Sequence, residues 1–242
     1  MLNIIIPIAG SSDFFEKSGY QYPKPLIEVC GKMMISHVID NVKDIDQQCQ
    51  VIFIIKSEDA IKYHLDNTLN LLAKNCKVIK IEKQTKGALC SVMLAIDLIS
   101  PDDELLILNG DQIIEENYNT IYGKWIESKV DSGVVTFNSA HPRWSYVQFA
   151  NNQIIQAAEK NPISNSAIAG YYYFSKAHDF FELSIKAIKD QDEYEGNFYL
   201  SAVINQYILA GKSVINFHID KERYHSFYSP EMIKRFEKIK KY

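Results

Sequence analysis

No two of the four cysteines in this 242-residue chain stand at C-x-x-C spacing: Cys30, Cys49, Cys76 and Cys90 are all isolated. That excludes a zinc ribbon and a dithiol redox motif, and it predicts reduced thiols in the core. Positive charge is not in excess either. Lys and Arg number 26 against 30 Asp and Glu, a net charge of −4. This argues against a protein that coats nucleic acid, while a local basic pocket for phosphate stays open. No apolar run approaches the ~20 residues of a membrane helix, and the opening MLNIIIPIAG has no basic segment ahead of its short apolar run, as a signal peptide would. The expectation is a soluble, cytoplasmic protein with neither membrane nor nucleic acid as partner. No linker rich in Pro, Gly or Ser and no internal repeat divides the chain. The six histidines show no ligand spacing, and His37, on an otherwise apolar helix, reads as structural. There is no Ser/His/Asp set with nucleophile-elbow spacing. What remains is ordinary globular material, 47% hydrophobic and 23% charged, long enough to hold a core without disulfide or metal.

Strand-like and helix-like segments alternate through the first half. Residues 2–8 form a continuous apolar run, as does VIFII at 51–55, and both read as strands buried on two faces. Residues 34–42 place Ile35, Val38, Ile39 and Val42 at helical spacing. Residues 58–72 read as helix, 78–81 as strand, Leu89, Val92, Met93 and Ile96 as one helix face, and ELLIL at 104–108 as the fourth strand. This order predicts a doubly wound, mainly parallel sheet. In the second half, strands at 132–137, 146–150, 154–158 and 167–174 come close together, with a turn signal at Asn151-Asn152. Helices near 178–188 and 198–209, a strand at 214–219 and a helix from Pro230 follow, and the charges of 234–241 read as a solvated face. One compact domain with an antiparallel-leaning second half is the expectation.

The first strand runs into Ala9-Gly10, then Ser11-Ser12-Asp13 and Pro23-Lys24-Pro25-Leu26. The turn after a first parallel strand is where α/β sheets gather backbone N–H groups around phosphate. A lysine between two prolines loses little freedom on clamping a phosphate. An ordinary strand-to-helix loop carrying a surface lysine would read the same.

With these residues in view, IIIPIAG…YPKPLIEVCGKMMISHVI resembles the opening of the sugar-nucleotidyltransferase family, whose pattern is strand, AGxGTR, PKxL and helix. It is similar to small capsule-pathway members in particular, and the resemblance runs along nearly the whole chain. It implies a Rossmann-like GT-A fold, a mainly parallel mixed α/β sheet flanked by helices. Residues 1–112 would form the nucleotide-binding half and 113–242 the acceptor-binding half. It also implies Mg²⁺-dependent transfer of a nucleoside monophosphate from an NTP to a phosphorylated small-molecule acceptor, with release of pyrophosphate. CTP, or a uridine or thymidine triphosphate, is the expected donor. The acceptor would be a sugar phosphate, or a non-sugar phosphate such as phosphocholine or phosphoglutamine, and the enzyme a monomer or homodimer.

Residue by residue, the resemblance puts Ala9, Gly10, Ser11, Ser12, Gln84, Gly87, Ala88 and Asn109 around the nucleotide. Gly87, opening a helix after Gln84-Thr85-Lys86, would let backbone lie against a flat base; a plain helix start is the alternative. In Asn109-Gly110-Asp111-Gln112, Asp111 resembles the family's metal-binding aspartate, and an oxygen ligand at a strand's carboxyl end suits Mg²⁺, although N-G-D turns are common. Lys24 would stabilise the transition state. Arg143-Trp144-Ser145-Tyr146-Val147, Ala158-Glu159-Lys160-Asn161-Pro162 and Ala169-Gly170-Tyr171-Tyr172-Tyr173-Phe174 resemble elements that line the acceptor pocket. Ser145, Tyr146, Glu159 and Gly170 would contact the acceptor there, and Lys160 its phosphate. Neighbours on a strand face opposite ways, so Glu159 and Lys160 are not expected to share one pocket; Phe174 reads as core. Glu195 would be a further acceptor contact, or simply an acid favoured in a first helical turn.

The departures are specific. The family's Gly and Arg after AG are absent, and Ser11-Ser12-Asp13-Phe14 stands there, so either Lys17, Lys24 or Lys32 answers the phosphates or triphosphate binding is weak. The usual second metal aspartate falls on Ser226; Asp220 is a replacement or a surface turn. A GT-A glycosyltransferase would need D-x-D, and Asp111 is followed by Gln112 and Ile113. A degenerate nucleotide-binding protein without activity is the third reading.

Overall fold

The computed structural model describes residues 1–43, 45, 48–151 and 153–240. The first half runs β1 (Leu2–Pro7), α1 (Asp13–Glu16), the hairpin β2 (Glu28–Val29) and β3 (Lys32–Met33), α2 (Met34–Val42), β4 (Cys49–Lys56), α3 (Ser57–Tyr63), α4 (Leu65–Leu72), β5 (Lys77–Ile81), α5 (Ala88–Met93) and β6 (Glu104–Leu108). The second runs β7 (Gln112–Ile114), α6 (Tyr118–Ser128), β8 (Ser132–Asn138), β9 (Tyr146–Ala150), β10 (Gln153–Ala158), β11 (Ser166–Phe174), α7 (Ala177–Lys189), α8 (Leu200–Leu209), β12 (Val214–His218), β13 (Tyr224–Ser226) and α9 (Pro230–Lys240).

Strands β5, β4, β1 and β6 lie side by side and parallel. The sheet then turns antiparallel: β11 pairs β6 on one edge and β8 on the other, and the β9–β10 hairpin meets the far end of β11, while β12 extends the sheet beyond β8 as a parallel neighbour. The mainly parallel mixed sheet with an antiparallel second half is therefore present as expected. Strand alternation sends Leu2, Ile4 and Ile6 into a core under α2 and α6, and Ile5 into a second core under α5, α7 and α8. Both faces are covered, which is why β1 reads as an unbroken apolar run.

Several expectations change in detail. Residues 58–72 are two helices, because His64 adopts a left-handed conformation (φ 54°) between α3 and α4. Helix α6 and the β7–β13 ladder have no counterpart in the sequence reading. Only Cys76 is buried; Cys30, Cys49 and Cys90 are half-buried, and all four are free. His37 is structural as expected, its Nε2 lying 2.7 Å from the Val29 carbonyl oxygen. Asn151 takes the positive φ (50°) of a turn residue, while Asn152 lies outside the described residues, as does Lys241. Helix α9 buries Pro230, Ile233 and Phe236 and leaves Lys234, Lys238 and Lys240 in solvent. Among the described residues no helix is long and apolar enough to cross a membrane.

Candidate active site

The exits of β1 and β6 approach closely at the carboxyl end of the parallel strands. A Cβ on Gly110 would lie 2.0 Å from Cγ2 of Ile8, so only glycine lets the two exits meet. Behind the turn, Ser12 is buried and its Oγ accepts a hydrogen bond from the Lys24 backbone N–H at 3.1 Å. That bond ties the Pro23-Lys24-Pro25 segment to the turn and aims Lys24 at Asp111, with which its ammonium forms an ion pair. Gly10, Ser11, Lys24, Ala88, Asn109 and Asp111 share the wall of one open pocket there. Lys24 is its only cationic lining residue among those described.

Six of the residues assigned to the donor side thus come together. The others are elsewhere. Ala9 packs its side chain into the core, and Ser12 is consumed in holding Lys24. Gln84 is exposed on the loop after β5 and does not reach the pocket wall. Gly87, at φ 93°, is pressed by polypeptide: a Cβ there would sit 2.3 Å from the carbonyl oxygen of Phe198. Of the three lysines expected to answer the missing arginine, Lys32 pairs with Asp40 at 2.9 Å on the surface, Lys17 lies exposed at the end of α1, and Lys24 alone lines the pocket.

Mg²⁺ commonly takes one or two carboxylates and completes its octahedron with water and substrate phosphate. Asp111, partly exposed in a pocket with a lysine beside it, fits that donor set. The second ligand does not fall on Asp220. The antiparallel β7–β13 register pairs Ser226 with Gln112, and the Phe227 N–H donates to the Asp111 carbonyl at 2.8 Å. Arg223 is opposite Glu115, about 13 Å along the ladder at ~3.3 Å per residue. Asp220 lies beyond that far end, exposed to solvent. Among the described residues no cluster of three acids, histidines or cysteines forms a ready-made cage.

The acceptor-side residues gather around Glu159. Its carboxylate accepts from Ser145 Oγ at 2.5 Å and Ser201 Oγ at 2.8 Å, joining β9 to the first turn of α8. Burial pushes the Glu159 carboxyl up, opposed by the two serine hydrogen bonds and by Lys160. Lys160 does not face away as strand alternation predicts. It follows the end of β10 in a left-handed conformation (φ 50°), which folds its ammonium back beside Tyr199, whose hydroxyl is 3.2 Å away. The Lys160 ammonium also stands over the rings of Tyr194 and Tyr199 and lies 3.7 Å from the Glu195 carboxylate. Burial pulls its pKa down, but the Tyr199 hydrogen bond and the nearby anionic groups outweigh that and hold it above the usual value.

Glu195 is not in a helical first turn. It occupies a tight hairpin turn, with positive φ at Glu195 and Gly196 and reciprocal backbone bonds between Tyr194 and Asn197. Tyr146 is fully buried and donates its hydroxyl to the His141 carbonyl at 2.6 Å, so it is a core residue rather than an acceptor contact. Gly170 is buried as well. Its carbonyl accepts from the Asn109 N–H and the Gln112 side-chain amide, and a Cβ on it would lie 2.1 Å from Asn109 Nδ2. It links the two halves of the site instead of touching acceptor. Phe174 is core as expected, and Tyr171, Tyr172 and Tyr173 join it. Sequence reasoning missed Tyr199 and Ser201; the signal was the polar-aromatic start of the helix after Gly196.

A stability prediction follows from Glu159. Because its pKa is raised on folding, the protonated form favours the folded state, and that contribution is lost as pH rises from the ordinary glutamate range through the raised value. Glu159→Gln keeps the size and an acceptor oxygen without the charge. Thermal melts of both proteins should show the variant gaining on the wild type between pH 5 and pH 8; a constant or shrinking difference would count against a buried charge here.

Comparison with known proteins gives a consistent picture. The family model described as nucleotidyl transferase matches residues 19–223. The bifunctional protein GlmU of Methanocaldococcus jannaschii is 30% identical over 206 residues, covering 80% of this chain but 45% of that protein. The chain thus spans less than half of that relative's length. The UTP–glucose-1-phosphate uridylyltransferase AglF of Haloferax volcanii is 22% identical over 225 residues, 90% of this chain and 88% of AglF. In fold, a nucleoside-diphosphate-sugar pyrophosphorylase from Vibrio cholerae superimposes with a TM-score of 0.85 at 23% identity, covering 97% of this chain and 99% of its own. A UDP-glucose pyrophosphorylase from Acinetobacter baumannii gives 0.73 at 16% identity, covering 98% and 92%.

Proposed function

The chain belongs to the nucleotidyl transferase family, and on that premise we propose that it transfers a nucleoside monophosphate from an NTP to a phosphorylated acceptor and releases pyrophosphate. The observation that carries the proposal is Lys24 facing Asp111 in the pocket at the carboxyl end of β1 and β6. An acceptor phosphate oxygen attacks the α-phosphorus, the bond from that phosphorus to the bridging oxygen breaks, and pyrophosphate leaves with the electron pair. Lys24 donates from its ammonium to the oxygens that gain charge, a role for positioning and electrostatics rather than covalent chemistry. Asp111 would hold a Mg²⁺ ion, which would supply neutralising charge for the phosphates. Lys160 binds the acceptor phosphate while Glu159, held by two serines, orients acceptor hydroxyl or amine groups.

Residues 1–242 act as one domain in this reading, 1–112 for nucleotide and 113–242 for acceptor. CTP is favoured over UTP or dTTP, with a sugar phosphate or a non-sugar phosphate as acceptor, in a cytoplasmic step of capsule or surface-polysaccharide precursor synthesis. The likeness of the opening residues to small capsule-pathway members supports that finer form. A glycosyltransferase D-x-D motif is disfavoured because its second aspartate would fall on Ile113, which is buried.

The test is pyrophosphate release in Mg²⁺ with CTP, UTP, dTTP, ATP and GTP, each against sugar phosphates, phosphocholine and phosphoglutamine. Release with a pyrimidine nucleotide and one acceptor is expected. Neither release nor thermal stabilisation by any of the five nucleotides would overturn the proposal.

A further inference from the structure

The largest cleft among those described lies outside this site. About 570 Å³ of open space separates the loop before β9 from α9, with β13 as its floor. None of its lining residues belongs to the Lys24–Asp111 pocket or to the pocket beside Glu159. By resemblance Arg143 and Trp144 belong with Ser145 at the acceptor, but the turn that leads into β9 sends their side chains to different places. Ser145 turns to Glu159, while Trp144 packs edge-on against Phe137 and Tyr224, each 5.5 Å between ring centroids, and faces the cleft.

Charge distinguishes this cleft from the rest of an acidic chain. Arg143, Lys221 and Arg235 line it, and Glu222 is the only acid among its described lining residues. None of the three cations takes part in any ion pair found among the described residues. The Arg143 guanidinium lies 4.3 Å over the Trp144 ring, and its Nε is buried without a hydrogen-bond partner. Stacking fixes the plane of the guanidinium and leaves its N–H edge as a preorganised fork for a phosphate or carboxylate. Met232, Phe236 and Ile239 supply an apolar wall on the α9 side.

We propose that this cleft is a second ligand site, which binds a small phosphorylated molecule with a flat ring, such as a nucleoside monophosphate. Arg143, Lys221 and Arg235 take the phosphate, and the Phe236–Ile239 wall takes the ring. The site stands whether or not the transferase reading of the other pocket holds.

Equilibrium dialysis of labelled AMP against the full chain tests it, with adenosine and inorganic phosphate as competitors. One saturable site is expected that survives Lys24→Ala, weakens about tenfold in Arg143→Gln and again in Arg235→Gln, and is displaced poorly by either competitor alone. AMP should also quench the fluorescence of half-buried Trp144, an effect absent in Trp144→Phe. Arg235 is exposed on α9, so its replacement leaves the core intact even if Arg143→Gln perturbs folding. Absence of saturable binding overturns the proposal. So does binding that disappears with Lys24→Ala yet persists in both arginine variants, which would place AMP in the other pocket. Equal displacement by inorganic phosphate alone would overturn the ring-binding wall and with it the stated ligand.

Discussion

Lys24→Ala should lower turnover by about 10²–10³-fold, the usual cost of deleting one preorganised donor to developing charge, while leaving the melting temperature close to wild type. The two halves of this expectation rest on different observations. For turnover, Lys24 is the only cation lining its pocket among the described residues, in a chain whose Ser11–Phe14 stretch lacks an arginine, so no other described lining residue can take over its charge. For stability, the Lys24 and Asp111 side chains retain 21% and 25% of their exposure, and a partly solvated ion pair contributes about 0–1 kcal/mol. Asp111→Asn should fall by a similar factor, with a distinguishing mark: the Mg²⁺ concentration for half-maximal rate rises in Asp111→Asn and stays near wild type in Lys24→Ala. Turnover within threefold of wild type in both variants would remove the ion pair from the mechanism.

Why these two residues could be found in the sequence, and others could not, has a physical explanation. Asp111 sits just past β6, a long apolar run whose strand assignment is hard to mistake, and Lys24 is marked by the prolines on either side of it in the loop that leaves β1; the carboxyl end of such strands is where the loops converge. The parallel half of the sheet was legible for the same reason, since β1, β4 and β6 are buried on both faces and carry the uninterrupted apolar signature. What was hidden depends on pairings far apart in the chain. Strands β7 and β13 are three residues each and about 110 positions apart, too short to show a period, yet their register decides that Phe227, and not Asp220, stands opposite Asp111. Lys160 was misdirected by a rule that holds only inside a strand; one left-handed residue past the end of β10 reverses its side.

Helix α6 shows a different kind of loss. Tyr118, Ile121, Tyr122 and Trp125 are spaced i, i+3, i+4, i+7 and all are buried, so the helical period was in the sequence. It is carried by amphipathic aromatics and broken by Gly123, which masks it in a reading that looks for aliphatic stripes. The N-terminus was marked too: Asn117 accepts from the backbone N–H groups of Asn119 and Thr120, a side-chain cap. Burial of these aromatics against β11, where Trp125 stacks on Tyr173 at 5.4 Å, supplies what local propensity lacks.

Gly87→Ala is the change with the largest expected effect on stability. Gly87 has φ 93° and ψ 173°, a region open essentially only to glycine. The steric conflict is with backbone: the added Cβ would lie 2.3 Å from the Phe198 carbonyl oxygen and 2.8 Å from its nitrogen. Those atoms cannot retreat freely, because the Phe198 N–H donates to the Lys86 carbonyl at 2.9 Å and the Phe198 carbonyl accepts from the Leu89 N–H at 3.2 Å. Relief therefore costs two buried-side hydrogen bonds as well as backbone strain, together about 3 kcal/mol or more. At roughly 2–4 °C per kcal/mol for a chain of this size, the melting temperature should fall by about 6–12 °C. Activity should fall too, because Ala88 in the Lys24–Asp111 pocket, and Tyr199 and Ser201, which bond Lys160 and Glu159 respectively, hang from opposite sides of this one junction. Gly123→Ala is the control: it lies inside α6 with nothing within 4 Å of the added Cβ, and removing a mid-helix glycine should stabilise by about 0.5–1 kcal/mol. A Gly87→Ala protein melting within 2 °C of wild type, beside a Gly123→Ala protein that melts higher, would mean that the Phe198 segment is not held against α5 in solution, and the two halves of the site would then have to be joined through Gly170 alone.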